Sequence, residues 1–181
     1  MTEAARITKS HKYRAYSYTY LLMAVHKSIR RAQNSERDTF VDCLNVLLYS
    51  ALAAEAFLNH IGPQVFPHWE PLKKKLSPQE KLDVIAAAKG VKFSWGAEPY
   101  QSLAEVIRFR NLVAHAETTD VDYTVLSDGR VVSSHWQSYC QLDVAERISA
   151  SIEALIKTLP KELGVIVPQA NTLAAEISEV T

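Results

Sequence analysis

The sequence predicts a mainly all-α protein, a helical bundle of about five helices with one small β-hairpin inserted after the fourth. Three observations carry this. Apolar residues recur at three-to-four spacing through most of the chain, as one face of a helix requires. Start and stop signals bracket these stretches, and the period shortens to that of strands in a single place, residues 121–134.

Residues 1–9 read as a loose tail, and residues 10–160 as a single domain, with 161–181 a C-terminal extension packing on it. The first helix is expected from about Ser10 to Ala32, with Tyr13, Tyr16, Tyr20, Met23 or Ala24, and Lys27 in one stripe. Lys27, Arg30 and Arg31 suit the negative end of its dipole. Ser35 offers an N-cap for a second helix running to about Ile61, where Gly62 and Pro63 are expected to stop it. Its apolar surface comes from Leu44, Leu47, Leu48, Ala51, Leu52, Phe57 and Leu58.

A loop rich in proline and aromatics, IGPQVFPHWEP, leads to a short segment ending in Lys73, Lys74 and Lys75. Ser77 and Glu80 then form a capping box around Pro78, which opens a third helix that Gly90 closes. The fourth helix is expected from about Tyr100 to His115 or Ala116, with Ser102 and Glu105 a second capping box if it starts late. The runs VDYTVL and RVVSS flank Ser127, Asp128 and Gly129, a turn signal, and so read as a hairpin. Asp143 with Glu146 opens a last long helix, expected to end near Leu159 before Pro160, and a further short helix is expected around 171–179.

At 181 residues the chain is long enough for one domain with its own core. Twenty basic residues balance twenty acidic ones, so no global cationic field announces a nucleic-acid binder. Cys43 and Cys140 lack metal-ligand spacing and read as buried reduced thiols. No His or Cys pattern of a zinc site, no glycine-rich phosphate loop and no Gly-x-Ser-x-Gly turn occurs, so neither a metal nor a cofactor is expected. The N-terminus lacks the apolar core of a signal peptide, and no run approaches the ~20 apolar residues of a membrane span. A cytoplasmic protein without a membrane partner is the resulting expectation.

Two polar residues sit where the pattern calls for apolar ones. Glu55 shares a face of the second helix with Leu44, Leu48, Ala51 and Leu58, and Asn59 is its neighbour one turn on. A carboxylate facing a core needs a partner, such as an arginine from another helix, unless it sits at the boundary in water. On the fourth helix Arg110 continues the stripe of Leu103 and Ile107, while Arg108, Asn111 and His115 share the adjacent face. Arg110 and His115 are five apart, about 140° round an ideal helix. By spacing alone they read as a cap and a dipole partner rather than a site.

The stretch RNLVAH, residues 110–115, resembles the motif of the HEPN superfamily: arginine, four to six residues, then histidine, with a polar residue often directly after the arginine. The segments SALAAEAFLNHIG and LSPQEKLDVIAAAKG, followed by PYQSLAEVIRFRNLVAH, are similar to text around that motif, so the resemblance covers about Ser50 to His115. It implies a helical bundle that dimerises, bringing two motifs together across a cleft, and in active members metal-independent RNA cleavage. His115 would then act as general base or acid, since an imidazole exchanges a proton near neutral pH. Arg110 would stabilise the phosphorane-like transition state, as a planar, permanently charged fork does. Asn111 would orient the phosphate or His115, with Glu55 and Asn59 as supporting polar residues. A role in defence or stress, as in toxin–antitoxin systems, would go with this, and a protein partner or antitoxin with it. Glu117 stands where some HEPN toxins carry a tyrosine that is modified by a partner enzyme, which speaks against that pairing. Many HEPN domains are non-catalytic modules that dimerise or bind RNA or protein, and this is the alternative reading. A third is a structural protein in which Arg110 pairs with Glu55.

Lys73, Lys74, Lys75 and Lys81 are candidates for RNA-backbone contacts, with Trp69 or Trp95 as a stacking face; a solvated charge run is the commoner meaning of such text. The stripe of Tyr13, Tyr16 and Tyr20 reads as a packing surface or dimer interface. Of the other histidines, His60 reads as a cap or surface residue, His26 as solvated, and His68 and His135 as boundary residues beside tryptophans.

Overall fold

A computed structural model gives the fold, and it describes residues 15–35, 39–118, 120, 122–125, 127, 131–133 and 136–167. The protein is mainly all-α. The described helices are α1 (Ser17–Gln33), α2 (Phe40–Val65), the single turn α3 (Trp69–Leu72), α4 (Pro78–Lys89), α5 (Tyr100–Ala114) and α6 (Leu142–Leu163). The tail at 1–9 and the short helix expected at 171–179 lie outside the described residues.

α2 is the central element and packs against α1, α4, α5 and α6. Val46, Leu47, Ala51, Ala54, Phe57, Leu58 and Ile61 are fully buried along it, which removes most of its apolar surface from water. By length and composition alone α2 would also satisfy a membrane span, contrary to the expectation that no run comes close; half of its most apolar stretch is buried inside this chain. α1 and α5 each pack on α6 as well as on α2, so the long helices share one core.

α4 follows its sequence signals throughout. Glu80 N–H donates to Ser77 Oγ and Ser77 N–H to Glu80 Oε2, Pro78 opens the helix, and Gly90 closes it at φ 68°. These are local hydrogen bonds, legible without the rest of the molecule.

Other boundaries differ from expectation because tertiary packing overrides local signals. α2 starts at Phe40 rather than after Ser35, which is not helical. It then runs through Gly62 and Pro63 to Val65. Pro63 removes one backbone donor, that toward the Asn59 carbonyl, and the helix continues because Phe66 N–H closes onto the Gly62 carbonyl at 2.8 Å. Gly62 is there for close approach: a Cβ on it would meet Trp69 Cε2 at 2.2 Å. α6 likewise passes Pro160 and ends at Gly164, φ 63°, so residues 161–163 belong to the helix and not to an extension. Burial of Leu159 and Leu163 offsets the missing bond.

On α1 the buried face is Tyr18, Leu22, Val25 and Ala32. Within α1 the expected stripe faces away from the core, since Tyr20 and Met23 are more than half exposed and Lys27 is exposed too; Tyr16, just before the helix, is half-buried against His60, and Tyr13 lies outside the described residues. Residues 15 and 16 precede the helix, which begins at Ser17 with Thr19 Oγ1 donating to the Tyr16 carbonyl. The hairpin is present as β1 (Tyr123–Val125) paired antiparallel with β2 (Val131–Ser133), Thr124 opposite Val132. A 3-10 turn over Trp136–Tyr139, absent from the expectations, leads into α6.

That turn is tied down by a polar network. Arg147 of α6 grips Glu105 of α5 through both terminal nitrogens at 2.9 Å, and Tyr139 donates its hydroxyl to the same carboxylate. The Tyr139 ring stacks on Phe109 with centroids 5.1 Å apart. Ser102 is therefore not a helix cap: its hydroxyl donates to Glu98 and accepts from Arg147, and Glu105 is engaged elsewhere.

Candidate functional site

Glu55 faces inward from the middle of α2, and its two carboxylate oxygens are taken by cations from two different helices. Lys81 of α4 donates Nζ to Oε1 at 2.7 Å. Arg110 of α5 donates Nη2 to Oε2 at 2.8 Å. The Lys81 side chain is 1% exposed, whereas those of Glu55 and Arg110 are 27% and 25% exposed. The cluster thus opens to solvent on the arginine side and is closed behind the lysine.

The local reasons are plain. Lys81 is the fourth residue of α4, and the Ser77 cap directs that first turn against α2. Arg110 lies in the stripe begun by Leu103 and Ile107, both buried, so the same helical period that packs α5 on α2 delivers the guanidinium to Glu55. Two cations around one carboxylate leave the cluster with one net positive charge.

Arg110 is held by one terminal nitrogen only. Its Nε is buried without a hydrogen-bond partner among the described residues, and Nη1 makes no protein hydrogen bond there either. Asn59, one turn after Glu55, has a buried Oδ1 in the same condition. The buried Nε is shut off from solvent, so the donors left for an oxyanion are those of the terminal nitrogens.

His115 caps the C-terminal end of α5 and is exposed; its backbone N–H donates to the Asn111 carbonyl at 3.0 Å. Asn111 is exposed on the same face. Among the described residues, neither side chain makes a hydrogen bond or ion pair. The sequence-predicted residues therefore fall into two groups: Glu55 and Arg110 joined directly, with Asn59 one helical turn from Glu55, and Asn111 with His115 on the surface of the next face.

The cationic candidates separate. Lys73 forms an exposed pair with Glu70 at 2.7 Å, while Lys74 and Lys75 are exposed. Lys81 is not part of a solvated run but the most buried member of the site, a role the sequence reading missed. Its position directly after the capping box, on the inner face of α4, was the available signal. Trp69 is buried in the core and offers no stacking face; Trp95 is half-buried and donates Nε1 to Asp83 at 3.1 Å. His60 is half-buried, not a cap, and lies edge-on to Tyr16 with centroids 5.2 Å apart. His26 is exposed and paired with Glu153 at 2.6 Å; His68 is exposed, and His135 lies outside the described residues.

Both cysteines are buried. Burial, and secondarily Cys43, pushes the Cys140 thiol up to about 12. Among the described residues no group of three or more His, Cys, Asp or Glu side chains is placed to hold a metal ion. Comparison with models of known protein families, with curated proteins and with solved structures finds no match.

Proposed function

We propose that this chain is a HEPN-like domain that acts as a homodimer and cleaves RNA without a metal, with Arg110 and His115 as the working pair. The observation that supports it best is the state of Arg110: positioned by Glu55 through a single nitrogen, a quarter exposed, and with Nη1 making no hydrogen bond among the described residues, on the helix that also presents His115.

In the proposed reaction His115 takes the proton of a ribose 2′-hydroxyl. The 2′-oxygen attacks phosphorus, the bond to the 5′-oxygen breaks, and that oxygen leaves with the proton that His115 took up. The products are a 2′,3′-cyclic phosphate and a 5′-hydroxyl. Arg110 meets the charge that builds on the phosphorane-like transition state. Asn111 orients the phosphate or His115, and Lys73, Lys74 and Lys75 contact the RNA backbone. Pairing of two copies would supply the convergence of Arg110 and His115 that a single helix, with the residues about 140° apart, does not favour. A cytoplasmic defence or stress role, with RNA as substrate and a protein antitoxin as regulator, belongs to the same reading.

The Glu55–Arg110 pair favours a second reading, in which the arginine is structural and the domain is a non-catalytic dimerising or binding module. One experiment separates the two. The purified protein, His115→Ala and Arg110→Ala are each incubated with mixed RNA in EDTA, and the product ends are analysed. Cleavage by the parent protein that both variants lose, with cyclic phosphate ends, is expected. Equal cleavage by all three, or none by any, overturns the nuclease reading. Melting of the variants then reports on the second: a large stability loss confined to Arg110→Ala marks that residue as structural.

A further inference from the structure

We propose that Lys81 is a positioning residue for an RNA phosphodiester at Arg110: by occupying Glu55 Oε1 it keeps Glu55 from closing on the guanidinium with both oxygens. The inference rests on the ribonuclease reading and gives one buried residue a part in it.

Three facts meet here. Lys81 is 1% exposed, and its Nζ pairs with Glu55 Oε1. Burying an ammonium costs desolvation that only good pairing repays, so a lysine at such a place is weak evidence of a device for stability. Carboxylates and guanidinium groups favour a two-bond, fork-to-fork pairing. That is how Glu105 and Arg147 meet elsewhere in this protein, through Nη1 and Nη2 at 2.9 Å each. Glu55 and Arg110 instead share a single bond, Nη2 to Oε2, with Nε lacking a partner.

Lys81 accounts for the difference. With Oε1 anchored toward α4, only Oε2 faces α5, so Arg110 is steadied but not covered. The charge follows the geometry. Glu55 and Arg110 alone would form a neutral pair with little attraction for a phosphodiester. With Lys81 the cluster carries one net positive charge, and the accessible cation is Arg110.

The test uses Lys81→Met, which keeps the unbranched side chain to its last carbon and removes the ammonium, and the double variant Lys81→Met/Glu55→Gln. The glutamine retains an oxygen for Arg110 Nη2 but cannot neutralise it. Two quantities are read: the affinity for a fluorescent 2′-O-methyl RNA oligonucleotide, which cannot be cleaved, and kcat/KM on the matching RNA. Lys81→Met is expected to lower both by roughly tenfold, the order of effect of one charge near a partly exposed site. The double variant is expected to regain most of that loss. A purely structural lysine predicts no recovery, since the second substitution removes the remaining ion pair.

Lys81→Met at parental affinity, or a double variant as weak as the single, overturns the proposal. If Lys81→Met does not fold, the double variant alone decides: affinity within a few-fold of the parent supports the proposal, and a tenfold loss overturns it. A parent protein that binds the uncleavable RNA and cleaves none refutes the nuclease reading while the binding measurement still judges Lys81. A parent that neither binds nor cleaves overturns both.

Discussion

The Lys81 ammonium lies 2.7 Å from Glu55 Oε1, across 26 residues of sequence, with essentially all of its side chain out of water. Arg110 meets the other oxygen of that carboxylate from 55 residues away, so α2, α4 and α5 are joined through one side chain.

Removing the shared partner is therefore the costly change. Glu55→Ala leaves a buried ammonium without a counter-charge, and a loss of about 3–5 kcal/mol is expected. Lys81→Met leaves Glu55 paired with Arg110 and no charge stranded, so a smaller loss, about 1 kcal/mol, is expected. Urea unfolding of the two variants beside the parent measures the difference; equal losses would contradict this account.

Gly62→Ala is expected to destabilise although alanine is the better helix former. The added Cβ would overlap the Trp69 ring, whose nearest atoms lie at 2.2 to 2.5 Å, and the ring is walled in at 1% exposure. Overpacking of this kind costs about 1–3 kcal/mol. The check is a lower melting temperature together with a shift in tryptophan emission as Trp69 is displaced.

Acid should loosen the junction of α5, the 3-10 turn and α6. The Arg147 guanidinium, bonded to the Glu105 carboxylate, holds that group below the usual carboxylate range, and the Tyr139 hydroxyl helps. A depressed folded value stabilises the fold above the unfolded pKa of about 4.3, and the contribution is lost as pH falls through the folded value. Glu105→Gln is expected to be less stable than the parent at pH 7, with the gap narrowing toward pH 3. A constant gap in unfolding free energy across that range would refute the assignment.

The two thiols should be inert in the folded state. Burial raises both Cys43 and Cys140, the latter to about 12, so the thiolate that reacts is scarce at pH 8. Titration with a disulfide reagent is expected to label both only on unfolding. Rapid labelling of either in the native protein would show that the core opens there.

The fold class, the order of the long helices, the hairpin and the inward turn of Glu55 and Arg110 are all legible in the sequence. Periodicity and capping act over four residues, and α4 carries every one of its own signals between Ser77 and Gly90. Local rules failed where contact with distant elements outweighed them. Gly62–Pro63 and Pro160 read as stops, yet burial of Ile61 and Leu163 and the seat of Trp69 carry both helices past them. Of the stripe Tyr13, Tyr16 and Tyr20, read as a packing surface or dimer interface, Tyr20 lies within α1 and is exposed, because α2 packs on the side bearing Tyr18, Leu22 and Val25. Most of all, a lysine beside a charged run has no inside or outside until a partner helix supplies one. The sequence makes visible that Glu55 takes either a counter-charge or a place at the boundary in water. That it has two counter-charges, one sealed in and one open to solvent, follows from how α4 and α5 meet α2.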